Sequence, residues 1–127
     1  MEPEHYIVYY EDGTVQYEQW RLNGKLHRVD APACIHYRED GTVSTEVWYL
    51  NGLPSRKDGP AYTYYCSDGV TPLREVWRWN GKLHRENGPT ITEYNEDGTV
   101  KWEAWYLNAV ALSWEEWLER TSVGESK

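Results

Sequence analysis

The chain has 127 residues, a formal charge of −8 and only 39% hydrophobic residues, yet it carries 8 Trp, 11 Tyr and no Phe. So many large aromatics exclude a disordered chain, and the acidic balance excludes a protein that grips phosphate backbones or anionic lipid, since both need a basic footprint. No apolar run is long enough to span a bilayer, and Met1-Glu2-Pro3-Glu4 is acidic where a signal peptide is basic, which predicts an intracellular protein.

Residues 5–10, His-Tyr-Ile-Val-Tyr-Tyr, predict a strand that ends at Asp12-Gly13, and a second strand over 15–22 runs to Asn23-Gly24. The pair recurs at 33–38 with 43–50, 61–66 with 73–79, and 90–95 with 100–107, which predicts about four hairpins. Trp20, Trp48, Trp77 and Trp105 step by 28, 29 and 28 residues (48−20, 77−48, 105−77). Three further columns are unchanged: Tyr9, Tyr37, Tyr65, Tyr94; Glu18, Glu46, Glu75, Glu103; and the Asp-Gly turns. The fold class is therefore mainly β: an elongated, twisted antiparallel sheet of tandem hairpins in which each unit buries its Trp against the next.

Parity arguments then assign faces. A two-residue primed turn at Asp40-Gly41 sets Tyr37 opposite Ser44, Ile35 opposite Glu46 and Ala33 opposite Trp48; in the last hairpin Thr90 meets Trp105 in the same way. An odd loop at Asn23-Gly24 brings Arg28 near Glu18 and over the indole of Trp20. The additional residue of the third unit moves Ala61 onto Val76, which predicts a corrective β-bulge near Thr71-Pro72.

The repeat fades at Asn108-Ala109, where Gly is lost, and Ser113-Trp114-Glu115-Glu116 matches a helix capping box. Trp114, Trp117 and Leu118 follow a helical stripe, so a short helix over 113–120 is expected to cap the sheet, with a frayed tail over 121–127. The whole chain reads as one repeat domain, with hairpin repeats over 5–112.

No cofactor or metal site is expected. His27 and His84 occupy one column two units apart, on the order of 20 Å at about 10 Å per hairpin, too far to share an ion. Cys34 and Cys66 form neither a CxxC nor a repeated pair and are read as free thiols. The glutamates repeat at structural spacing with Arg28, Arg56 and Arg85 as ion-pair partners, and the Asp-Gly turns lack the further oxygens of a calcium site. Val47, Tyr49, Tyr62 and Tyr64 fall on the face opposite Tyr65. They form either an exposed aromatic interface or a second core layer under a curled sheet.

The unit Trp-x-x-Asn-Gly-Lys-Leu-His-Arg-x-Asp/Asn-Gly-Pro, followed by Tyr-x-x-Asp-Gly-Thr-Val and Glu-x-Trp, resembles the MORN-like repeats of proteins from giant DNA viruses that infect amoebae. It is also similar to the YwqK-type repeats of bacterial proteins. Residues 77–98 match most fully, Ala31 replaces a usual Gly, and Leu53-Pro54-Ser55 replaces Lys-Leu-His. The resemblance implies a row of hairpins used for protein contact, scaffolding or dimerisation, and it brings no catalytic residues. It makes the expected function a non-enzymatic interaction or structural protein, in the host cytoplasm or the virion if the source is viral. Its partner is another protein or, as a homodimer through the aromatic face or an uncapped end, a second copy. The alternative is a YwqK-type, antitoxin-like acidic partner of a basic protein.

Overall fold

The computed structural model describes residues 2–122. The first unit comprises β1 (Glu4–Tyr9), β2 (Val15–Leu22) and β3 (Lys25–Leu26). The second has β4 (Cys34–Tyr37), β5 (Val43–Val47), β6 (Tyr49–Leu50) and β7 (Leu53–Pro54). The third has β8 (Tyr62–Tyr65), β9 (Pro72–Val76), β10 (Arg78–Trp79) and β11 (Lys82–Leu83). The fourth has β12 (Ile91–Tyr94), β13 (Val100–Leu107) and β14 (Val110–Leu112), and α1 (Trp114–Ser122) follows. An antiparallel sheet runs β1-β2-β4-β5-β8-β9-β12-β13, so the second strand of each unit pairs with the first strand of the next. The chain is thus mainly β, a row of hairpins with one short C-terminal helix.

The turns invert the expected parity. At Asp12-Gly13, Asp40-Gly41 and Asp97-Gly98 only the glycine has positive φ (90°, 90° and 89°), and a primed two-residue turn needs it at both central residues. The amide of Gly41 instead donates to Arg38 O, and that of Arg38 to Thr42 O, which closes a three-residue loop. Each Asp accepts from the amide and hydroxyl of the Thr two residues on, as Asp40 does at 2.9 and 2.6 Å from Thr42, and this fixes the non-primed form. True primed turns occur at Asn23-Gly24 (φ 51° and 78°) and at its repeats, where Asn tolerates the left-handed conformation.

An odd loop shifts the pairing by one, and a bulge restores it. Tyr37 therefore faces Val43 and not Ser44, after which His36 faces Thr45 and Ile35 faces Glu46 as expected. The same shift follows Tyr9, Tyr65 and Tyr94, so the bulge predicted near Pro72 belongs to every unit. It does not absorb the additional residue. That residue lengthens the third turn to 67–70, closed by the Cys66 amide on Thr71 O, and Tyr62, not Ala61, faces Val76.

Past the Trp, each long strand leaves the main sheet and folds back as a short arm: β2 on β3, β6 on β7, β10 on β11 and β13 on β14. The strand is interrupted at Trp48 and Trp77, which the expected continuous strands did not include. Arms join edge to edge into a second ladder: Gly52 donates to Leu26 O, Gly81 to Pro54 O and Ala109 to Leu83 O, each at 2.8 Å. The core is correspondingly thin, with Ala33, Cys34, Ala61, Val76 and Ile91 buried along the middle of the sheet. Ser113 and Glu116 exchange the two capping-box bonds at 3.1 and 2.9 Å. Of the predicted stripe only Trp117 is buried; Trp114 and Leu118 are exposed. The helix includes Thr121 and Ser122, which correct the start of the expected tail, and 123–127 lie outside the described residues.

Candidate interaction surfaces

Register places Ile7, Glu18, Ile35, Glu46, Thr63, Glu75, Thr92 and Glu103 side by side across the sheet. The alternation separates neighbouring carboxylates by two strand spacings, about 10 Å. Each of the first three glutamates accepts a hydrogen bond from the Tyr of the following unit: Tyr37 to Glu18, Tyr65 to Glu46 at 2.6 Å, and Tyr94 to Glu75 at 2.7 Å. Burial and then the bonded carboxylate push Tyr37 and Tyr94 up to about 12, and Tyr65 upward for the same reasons, so these phenols stay protonated donors.

Arginine covers the Trp file. The guanidinium of Arg28 stands 3.7 Å from the centroid of Trp20, and those of Arg56 and Arg85 stand 3.8 Å from Trp48 and Trp77. Each also donates to the Pro carbonyl four residues on, fastening the loop that leads into the next unit. The expected ion pairs of Arg28, Arg56 and Arg85 with the glutamate column are not formed. Among the described residues the Arg–carboxylate ion pair is Arg74–Glu93, and His5 and His84 are hydrogen-bonded to Glu18 and Glu86. The even Asn-Gly turn pairs His27 with Trp20, and the Arg28 amide donates to Tyr49 O of the next unit while its guanidinium lies over the indole. Gly59 and Gly88 make room for this, since a Cβ there would come within 2.6 Å of the Arg56 or Arg85 Cζ. In the first unit Ala31 is accommodated with Asp30 at φ 64°.

The column of His27 and His84, expected to be structural or solvated and not metal-binding, holds the arms together. The Nδ1 atoms of His27 and His84 accept from the amides of Asn51 and Asn108, each at 2.9 Å, and Ser55 Oγ accepts from Asn80 at 3.0 Å. The departure at Leu53-Pro54-Ser55 thus keeps the bond while changing the residue. His and Ser are interchangeable here because each offers the one acceptor atom that the turn amide needs.

On the opposite face Val47 pairs directly with Tyr62, and Tyr64 with Thr45, while Tyr49 lies in the arm β6. Tyr64 is exposed, whereas Val47, Tyr49 and Tyr62 are half-buried. A cleft of about 270 Å³ lined by Pro54, Tyr62, Arg74, Val76 and Arg78 opens there. A larger cleft of about 610 Å³ lies along the Trp file, with Arg56, Lys57, Trp79 and His84 in its walls. Cys34 and Cys66 are both free thiols. Among the described residues no group of three or more His, Cys, Asp or Glu could hold a metal ion, and no helix is long and apolar enough to cross a membrane.

Fold and surfaces together define a tandem β-hairpin protein with two ladders. Compared with known proteins, the chain matches no family model, no curated protein and no solved structure.

Proposed function

We propose that this chain is a non-enzymatic interaction or structural protein built of MORN-like repeats, whose partner is another protein. The observation that supports this reading is the use of the polar columns: glutamate and tyrosine join one unit to the next, and arginine covers the indole of its own unit and fastens the loop that follows, leaving clefts and an aromatic face toward the outside. A carboxylate tied to a phenol and lacking a second carboxylate within reach is poorly suited to acid-base work. Affinity capture from the native source tests the proposal, with Tyr64→Lys as the control. The expected result is a partner held by the wild type and lost with the variant. Small-molecule turnover by a pure monomer that captures nothing would overturn it.

The formal charge of −8 also favours a second reading, an acidic partner of a basic protein. Salt distinguishes the two, because a charge-steered complex weakens strongly as ionic strength rises and an aromatic one does not.

A further inference from the structure

The chain contains one interface three times. β2 meets β4, β5 meets β8 and β9 meets β12 through three residue pairs each, and a Tyr two residues beyond the central pair donates to the central Glu. Among the described residues, each end of the sheet shows one half of that interface without the other. At the C-terminal end β14 pairs only with Trp105, Tyr106 and Leu107, so Trp102, Glu103 and Ala104 have no strand partner on their outer side over the same three-residue length, with α1 packed against β13 nearby. At the other end β1 has its outer edge unpaired, and Tyr9, 56% exposed, stands in the Tyr column with no glutamate before it.

We propose that copies of this chain join head to tail, with β1 of one copy adding to the Trp102–Ala104 edge of another in the register used between the internal units. Carrying that register across sets Glu103 opposite Ile7 of the second copy, Trp102 opposite Val8 and Ala104 opposite Tyr6, and it brings the Tyr9 hydroxyl to Glu103. This rests on the interaction reading above and names a second copy as a partner. The two edges carry the apolar surface such a joint would cover, since Tyr6, Ile7, Val8, Val100 and Trp102 are all exposed. The two patches differ, so the contact is heterologous and extends into open chains or closed rings instead of an isologous two-fold dimer. Both copies are acidic, so added salt favours the joint by screening their repulsion.

The test is the weight-average mass of the pure 127-residue protein by light scattering and sedimentation, from about 10 µM to about 1 mM, the range suited to so small an interface. The wild type is expected to grow past a dimer as concentration rises, and more so at higher salt. Val8→Lys removes one end and Trp102→Lys the other, both at exposed positions. Each variant alone is expected to stay a monomer with an unchanged circular dichroism spectrum, and their equimolar mixture to form a complex of two chains and no more. A wild type that stays monomeric throughout, or a dimer that survives both substitutions, overturns the proposal. A monomer that still captures a different protein through Tyr64 would leave the interaction reading standing.

Discussion

The main sheet and the arm ladder are built from the same four units, yet they are joined in different ways. Seams of the sheet use matched residue types, a phenol on a carboxylate, while within each of the first three units a guanidinium lies on the indole. Seams of the arm ladder need only an acceptor for a turn amide, which His27, Ser55 and His84 supply equally. Chemistry that demands two partners of fixed shape leaves an unchanging column; a requirement for one lone pair leaves a variable one.

Breaking the sheet seam should cost most. Trp48→Ala is expected to lower stability in urea denaturation by about 3 kcal/mol, the low end for an aromatic truncation because the indole is only half-buried. In the arm ladder Ser55 is 2% exposed and its bond from the Asn80 amide is part-buried, so Ser55→Ala should cost about 1 kcal/mol. His27→Ala, where water can replace the ring, should cost about 0.5 kcal/mol. Equal losses at the two positions would show that the acceptor itself is not what matters.

Ala109 holds φ 69° where the other arms have glycine, so Ala109→Gly should raise stability by about 1 kcal/mol. Tyr65→Phe should remove about 1 kcal/mol, and a double-mutant cycle with Glu46→Ala should assign that loss to the bond between them. The same phenols make the sheet seams sensitive to alkali. Their pKa is raised in the fold, so the stability they contribute is fully present below pH 10.0 and is lost as pH rises through about 12. Unfolding midpoints against pH, read beside tyrosinate absorbance, should fall across that window. Asp68 behaves oppositely: held down to about 2 first by its bond from the Thr71 hydroxyl, it stabilises the turn above pH 3.8 and loses that effect below.

Much of the sheet was legible from the residues. Alternation and the Trp, Glu and Tyr columns placed eight strands, and the capping box placed the helix start to the residue. The Arg28 contact with Trp20 was expected for the wrong reason, since parity around an odd loop predicted it, whereas the loop is even and Arg28 lies past the His27–Trp20 pair with its amide on Tyr49 O. Turn type was the weak point. Asp-Gly and Asn-Gly look alike as letters, and the difference lies in whether the first side chain folds back on the next Thr or leaves its backbone free to become left-handed.

The sequence by itself determined what repeats: the hairpin, its length, the direction of each side chain within a strand and the residue that starts the helix. These depend on neighbours within a few positions, and local sterics settle them. Only the tertiary structure decided what each column touches, because Glu46 and Tyr65, or Ser55 and Asn80, are brought together by how one unit lies on the next. It also decided that the strand leaves the sheet after the Trp. That departure follows from competition for the strand's outer edge, which the next unit takes before the Trp and the strand's own return takes after it.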